Sequence, residues 1–210
     1  MNPELVSTWV RGWAVSRRTP APVEHPWGHY IEVGSADHVG RHVLPDPTEA
    51  AVRAAAASVD VPYTWLKVPT ALAEVEPWLP AGWTVDKEES GYLMAVDLRA
   101  EETAAPEGYR LSVETDDGVT FARVHDATGA LAARGQMALL GRATVMDKIV
   151  TEEAHRRRGL GTFVMRSLSA EARARGARVG VLGATPDGRA LYETLGWTLH
   201  APLAACVYRP

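Results

Sequence analysis

Apolar residues in the C-terminal half follow helical spacing in one stretch and strand-like runs on either side of it. Between residues 160 and 172 they recur at every fourth position, which predicts a helix over 162–175. The apolar runs 143–150 and 179–184 that flank it are typical of strands, the second of them buried. These three segments therefore predict a strand, a turn, a helix and a second strand.

A second helix is predicted after residue 184. Thr185 is a suitable N-cap, and Pro186 suits the first helical position because that position needs no N–H donor. Gly196 ends the helix, and Trp197 leads into a final strand. From residue 143 onward the pattern alternates strands with helices, which indicates an α/β fold.

The turn before the first of these helices reads Arg-Arg-Arg-Gly-Leu-Gly over residues 156–161. The first N–H groups of a helix have no partner within it and lie at the positive end of its dipole, so they bind phosphate groups. Glycines leave room for a close anion, and arginines add positive charge. Taken alone, such a turn is equally typical of a solvated loop.

With its neighbours, this turn resembles the GNAT superfamily, the acyl-CoA-dependent N-acetyltransferases. Residues 156–161 fit that family's signature Q/R-x-x-G-x-G/A, and residues 190–197, Ala-Leu-Tyr-Glu-Thr-Leu-Gly-Trp, resemble its second landmark, A-x-Y-x-x-x-G-F/W. The resemblance covers roughly residues 118–210. It implies a mixed sheet flanked by helices, an acyltransferase activity and acetyl-CoA as co-substrate.

The resemblance also implies where the co-substrate binds. The pantetheine arm would pair with residues 147–151 like an added strand, and the pyrophosphate would bind the amides of residues 157–162. No metal is implied. The implied cofactor-binding residues are Ile149, Val150, Thr151, Arg156, Arg157, Arg158, Gly159, Leu160, Gly161, Thr162 and Thr185.

In this family the amine attacks the thioester directly, and the resemblance gives Tyr192 the role of the acid that protonates the departing thiolate. A phenol, with an ordinary pKa near ~10, is protonated at neutral pH and can donate. The alternative is a half-buried helix residue whose hydroxyl bonds to the backbone.

Asp147 is the first candidate for the base that deprotonates the amine, because it lies in an apolar strand where desolvation raises a carboxyl pKa. The alternative is that Asp147 pairs with a neighbouring arginine and only holds structure. A water chain could also serve as the base. Weaker candidates are His125, Glu152, Glu153 and His155.

The N-terminal half predicts a second set of strands and helices. An amphipathic helix is expected over 2–18, and residues 99–108 read as a linker, which divides the chain into 1–99 and 108–210. The remaining expected elements are strands at 29–33, 41–44, 62–68, 83–85 and 92–98, a helix at 47–58 capped by Asp46, and a helix at 70–79.

The two halves share the same order of predicted elements. Residues 66–83 and 182–197 each read strand, helix, Gly-Trp. We hypothesise that the N-terminal half is a degenerate copy of the same half-fold; the alternative is chance similarity. Only the C-terminal half has the Arg-x-x-Gly-x-Gly signature, so one cofactor site is expected. Because residues 98–118 cannot hold the two helices that usually wall the acceptor pocket, the N-terminal half is expected to supply that wall.

Composition bears on the binding partners and the cellular compartment that we expect. The chain has 22 Lys and Arg against 26 Asp and Glu, a net charge of −4, which gives no support for binding nucleic acid or membranes. The single cysteine, Cys206, suggests a reducing cytoplasm. No signal peptide is recognised, and the abundance of arginine and alanine suggests a bacterial source with a GC-rich genome.

The predicted function is therefore a cytoplasmic N-acetyltransferase that acts on a small-molecule amine. Two alternatives stay open, namely acetylation of a protein amine and binding of acyl-CoA or another ligand without turnover. A homodimer is an open option for the assembly.

Overall fold

The computed structural model describes residues 2–99 and 103–210, and a sheet of eleven strands runs through them. In chain order the elements are α1 (Pro3–Arg17), β1 (Val23–His25), β2 (Gly28–Ser35), β3 (His38–Val43), α2 (Glu49–Ala57), β4 (Thr64–Val68), α3 (Leu72–Val75), β5 (Trp83–Asp97), β6 (Arg110–Asp116), β7 (Val119–His125), β8 (Leu131–Leu140), β9 (Ala143–Thr151), α4 (Leu160–Ala174), β10 (Val179–Ala184), α5 (Pro186–Thr194) and β11 (Thr198–Tyr208). The predicted α/β class, a mixed sheet flanked by helices, is confirmed.

The strand order is β1-β2-β3-β4-β11-β5-β10-β9-β8-β7-β6. At the centre of the sheet β5 pairs antiparallel with β11. The other neighbour of β11 is β4, and the other neighbour of β5 is β10. Each half of the chain therefore contributes one strand to the part of the sheet that the other half forms. Moving outward, β3 and β4 are parallel, as are β9 and β10. This pairing pattern favours the duplication hypothesis, which stays a prediction.

Helix α1 covers the centre of the sheet on one face. Its apolar side, including Trp9 and Val10, packs against Val145 of β9 and Leu203 of β11. Gly12 makes this contact close, because a Cβ at that position would lie 2.3 Å from a methyl group of Val145. Burial of each large apolar side chain here contributes roughly 1.5–3 kcal/mol, so α1 is firmly held against the sheet.

Helices α4 and α5 contribute to the core on the opposite face. The apolar stripe of α4, with Val164 and Leu168 buried, packs against β8 and β9, and Tyr192 and Trp197 extend the same cluster. A third cluster forms under α2 and α3 in the N-terminal half. None of the helices in the described part of the chain is both long and apolar enough to cross a bilayer.

Two predicted strands are joined into one, and two other predictions about local elements were wrong. Residues 83–85 and 92–98 belong to one strand, β5, whose register against β11 shifts between Asp86 and Gly91. Thr48, not Asp46, caps α2 through a hydrogen bond from the Ala51 N–H. The helix expected over 70–79 is a single turn followed by a 3₁₀ turn that contains Pro77, which has no N–H to continue an α-helix.

Two further segments differ from the sequence expectations. Residues 110–116 form β6 at the sheet edge, although their pattern predicted no strand. The linker expected over 99–108 falls partly outside the described residues, at positions 100–102.

Candidate active site

The parallel strands β9 and β10 part within the sheet. They pair only where residues 143–145 face 179–181, although β9 continues to Thr151 and β10 to Ala184. Beyond Val145, therefore, β9 has no strand partner on that side among the described residues. An extended ligand can hydrogen-bond to such an open strand edge.

A bulge in β9 lies beside this opening. Gln136 of β8 pairs with Asp147 and Arg134 pairs with Val150, so the single residue Gly135 faces two residues of β9. Within the bulge, Lys148 has φ 52°, in the left-handed region. Gly135 permits the approach, since a Cβ there would lie 2.5 Å from Ile149. The bulge bends β9 and sets the direction of its C-terminal end.

The N-terminus of α4 follows directly. Gly159 is its N-cap in a left-handed conformation with φ 78°, and no side chain caps the helix. The amides of residues 157–162 have no hydrogen-bond acceptor within the described ranges. Together with the helix dipole, these free N–H groups form an anion-binding turn at the end of the parted strand.

The three arginines of this turn are exposed and differ in their contacts. Arg156 Nε donates to the Thr151 carbonyl at 3.4 Å. Arg158 donates to the Tyr109 hydroxyl at 3.1 Å, and that hydroxyl lies 3.0 Å from His155 Nδ1. Arg157 makes no hydrogen bond or ion pair to a described residue, so its guanidinium is available to a ligand.

Tyr192 projects from α5 into the core and is only 8% exposed. Its hydroxyl forms no hydrogen bond within the part of the chain that the structure describes. Burial raises the pKa of Tyr192 to about 12, and the negative charge of Asp147 adds to this rise. The phenol therefore keeps its proton at neutral pH and has no competing acceptor, as a general acid requires.

Thr185, predicted to contact the cofactor, caps α5 at the end of β10. Its Oγ1 accepts a hydrogen bond from the Gly188 N–H at 3.1 Å. Gly161 lies where α4 meets α5, since a Cβ there would lie 3.0 Å from a methyl group of Leu191. Both residues thus fix the relative position of the two helices that border the parted strands.

Asp147 is held by the C-terminal end of α1. Arg17 donates to its two carboxylate oxygens at 2.7 and 2.9 Å, and Ser16 Oγ lies 3.3 Å away. The Asp147 side chain is 12% exposed. This is the arginine contact that the structural interpretation of Asp147 anticipated. A role as base stays a prediction.

The weaker base candidates lie around the outer end of β9. His155 is engaged by Tyr109 and lies 3.7 Å from the Asp126 carboxylate. Glu153 is exposed in a short 3₁₀ turn. Among the described residues, no group of three or more side chains is arranged to hold a metal ion.

A cluster of buried charges lies on the α1 face of the N-terminal half. Arg41 of β3 and Lys67 of β4 are 8% and 5% exposed. The Trp13 ring contacts two guanidiniums, with Arg17 at 4.6 Å and Arg41 at 4.2 Å from its centroid. Lys67 Nζ donates to the Glu89 carbonyl at 2.6 Å.

Burial lowers the pKa values of this cluster. It lowers the pKa of Arg41 to about 10, with a further contribution from Arg17, and that of Lys67 to about 8, with a further contribution from Arg41. The pKa of His38 falls to about 3 for the same reason, so this imidazole is neutral. Sequence reasoning missed the cluster; the available signal was a cationic residue inside each of two short apolar strands.

One family model matches most of the C-terminal half of the chain. A family model described as FR47-like protein matches residues 124–206, which span β8, the bulged β9, the free-amide turn and α5. The comparison with curated proteins gave no match.

Solved structures with the same fold cover nearly the whole chain. A GCN5-related N-acetyltransferase from Kribbella flavida has a TM-score of 0.68 at 17% identity, covering 99% of this chain and 95% of its own. A putative acetyltransferase of the GNAT family from Novosphingobium aromaticivorans has a TM-score of 0.61 at 18% identity, covering 97% and 99%.

A tandem GNAT protein from the clavulanic acid biosynthesis pathway has a TM-score of 0.56 at 16% identity, covering 77% of this chain and 68% of its own. At these identities the likeness concerns the fold. The family-model match, which covers less than half of the chain, agrees with that fold and with the predicted resemblance to the GNAT superfamily.

Proposed function

We propose that the protein transfers an acetyl group from acetyl-CoA to a primary amine of a small molecule. The observation that carries the proposal is the set of free amides at residues 157–162, placed at the end of a strand that has lost its neighbour. The GNAT fold supports an acyltransferase activity in general. The single, buried Cys206 leaves no partner for a disulfide and supports a cytoplasmic setting.

In this proposal the C-terminal half, residues 108–210, binds acetyl-CoA. The diphosphate accepts hydrogen bonds from the amides of residues 157–162, and Arg157 adds a charge that no described residue neutralises. The pantetheine amides pair with the open edge of β9 at Ile149, Val150 and Thr151. The N-terminal half, residues 1–99, forms the wall on the acceptor side.

The reaction is a direct transfer. The acceptor ammonium first loses a proton, its nitrogen then bonds to the thioester carbonyl carbon, and the carbon–sulfur bond breaks. Tyr192 gives its proton to the departing sulfur and regains one from the acylated nitrogen through water. Each turnover yields an amide, a free thiol and one proton released to solvent.

Asp147 has a defined place in this scheme. The bidentate contact with Arg17 holds its carboxylate in place, and we assign this carboxylate the attraction of the acceptor ammonium. Because both of its oxygens already accept from Arg17, we propose that Asp147 positions the nitrogen, and that the proton passes from there to water.

Replacing Tyr192 by Phe tests whether Tyr192 acts as the general acid. The ring and its packing remain but the proton donor is lost, so we expect kcat to fall about 100-fold while CoA affinity is unchanged. Stopped-flow detection of free thiol gives the rate, and calorimetric titration gives the affinity. An unchanged rate would remove Tyr192 from the mechanism.

The Tyr192→Phe experiment also has a pH signature. Because the folded-state pKa of Tyr192 is about 12, the wild-type rate should show no loss from its ionisation between pH 7 and 10. A decline of kcat across that range that is absent from Tyr192→Phe would contradict the assigned proton.

Replacing Asp147 by Asn separates positioning from base catalysis. The amide keeps the shape but cannot hold an ammonium, so we expect KM for the amine to rise about tenfold. If Asp147 positions the nitrogen, the acidic limb of the pH–rate profile stays in place. If Asp147 is itself the base, that limb disappears together with most of kcat.

A screen of amines with a free-thiol readout decides between the broader alternatives. Turnover with small amines supports the proposal, and turnover only with lysine side chains of proteins supports the protein-amine alternative. Tight CoA binding without turnover on any amine would favour a binding protein.

A further inference from the structure

We infer that the acceptor amine also carries a carboxylate, and that Arg41 and Lys67 of the N-terminal half bind it. The inference rests on the proposed function and deepens it by naming a substrate class. It is carried by the Arg41 guanidinium, whose terminal nitrogens have no acceptor among the described residues and which shares the Trp13 ring with Arg17, the partner of Asp147.

Arg41 and Lys67 project from neighbouring parallel strands onto one face of the sheet. In the register of β3 against β4, Arg41 pairs with Trp65 and Val43 pairs with Lys67, so the two cationic residues share a face. That face is the α1 face, because the Arg41 guanidinium lies against Trp13.

The cations on this face are not matched by available anions. Asp147 is engaged on both oxygens by Arg17, and Lys67 donates to a backbone carbonyl, with the Glu89 carboxylate 3.9 Å away. Asp86, whose charge also acts on Lys67, pairs with Arg209 at 3.6 Å. Counting the four cations Arg17, Arg41, Lys67 and Arg209 against the three carboxylates leaves one positive charge in excess.

Arg41 is the residue that carries the excess charge. Its Nε donates to His38 Nε2 at 3.1 Å, which is a neutral acceptor. Neither terminal nitrogen of Arg41 has an acceptor within the described ranges, although the residue is only 8% exposed. The planar fork of N–H groups of a guanidinium matches a carboxylate in a bidentate manner.

The carboxylate site adjoins the place where the amine reacts. Both oxygens of the Asp147 carboxylate, which we propose positions the amine, accept from Arg17. Trp13 contacts Arg17 and Arg41 together. An acceptor with its ammonium at Asp147 and its carboxylate at Arg41 would meet opposite charges at its two ends.

A purely structural role for Arg41 would be to hold α1 against the sheet through Trp13. This role and the binding role predict different results when only the charge of the ligand is changed. The probes are therefore matched pairs: N-acetyl amino acids, which are the products expected of such acceptors, and the corresponding N-acetyl amino acid amides.

The experiment is calorimetric titration of these pairs into the protein saturated with CoA. We expect wild type to bind the acids about 10- to 100-fold more tightly than the amides, as a charged bidentate contact would give. Arg41→Gln should lose this preference. The control is Arg53→Gln, which removes an exposed arginine of α2 paired with Glu49 and should behave as wild type.

CoA affinity of each variant shows whether it is folded, and Lys67→Met provides a second route if Arg41→Gln does not fold. Equal binding of acids and amides by wild type, no binding of any acid, or a preference that survives both substitutions would overturn the inference. These readouts do not depend on turnover. A protein that binds acids selectively but acetylates no amine would contradict the proposed function and leave the carboxylate site standing.

Discussion

The two parallel strand pairs of the sheet have the same connectivity, but they differ in how far their strands stay paired. In the N-terminal half, residues 40–43 pair with residues 64–67 without interruption, and a further hydrogen bond from Leu44 extends the contact. In the C-terminal half, pairing stops after Val145 and a bulge turns β9 aside. In the first pair the strands hydrogen-bond to each other along their shared length. In the second pair one edge of β9 stays unpaired and can accept a ligand.

The helices that connect the two strands of each pair differ in the same sense. Thr48 caps α2, with its Oγ1 accepting from the Ala51 N–H at 3.1 Å, whereas Gly159 offers α4 no side chain at all. The comparison teaches that a strand–helix unit gains an open strand edge and free amides, the features that we propose bind acetyl-CoA, when it lacks local hydrogen bonds that an ordinary unit makes. It explains why one site is expected although the two halves share a topology.

Giving α4 a side chain at its N-cap should produce the largest effect. Gly159→Asp places a carboxylate among the free amides, where it repels a diphosphate and competes for several charged hydrogen bonds, so CoA affinity should fall about 1,000-fold. Gly159→Asn is the matched control, since asparagine also tolerates the left-handed conformation but carries no charge. Calorimetry that finds equal CoA affinity in Gly159→Asp and wild type would place the diphosphate elsewhere.

The N-terminal half should be the more acid-sensitive one. Burial lowers the pKa of His42 to about 4, below the unfolded value of 6.5, so its contribution to stability is present above pH 6.5 and is lost as the pH falls through 4. The loss should reach roughly 3 kcal/mol at pH 4. Urea unfolding at pH 7, 5 and 4 should show a shallower decline for His42→Gln; parallel profiles would contradict this.

Removing the cap of α2 should have the smallest effect. Thr48→Ala leaves the Ala51 amide without its side-chain acceptor and should lower the free energy of unfolding by ~1 kcal/mol. CoA affinity should not change, because this helix end binds no ligand in our proposal. A Thr48→Ala protein with weakened CoA binding would indicate that the N-terminal unit takes part in cofactor binding after all.

Local signals were sufficient for most elements. The four-residue apolar spacing of α4 and the cap at Thr185 each act over a few residues, and each was visible in the sequence. The free amides of residues 157–162 were predictable for the same reason, because a glycine N-cap cannot supply a capping oxygen.

Features that depend on distant parts of the chain could not be predicted. Arg17 and Asp147 are 130 positions apart, and nothing local to either residue indicates the pair. The bulge at Lys148 puts a lysine in the left-handed region, where glycine or asparagine would have given a signal. The burial of Arg41 and Lys67 follows from α1 crossing the sheet, which the spacing within β3 and β4 does not show.

The position of β11 has a consequence for biosynthesis. This strand lies between β4 and β5, so the N-terminal part of the sheet stays divided until residues 198–208 have left the ribosome. Folding intermediates formed during translation should therefore expose the facing edges of β4 and β5. Nascent chains stalled before residue 198 should be readily cleaved by protease in both halves, and release of the last strand should protect the two together.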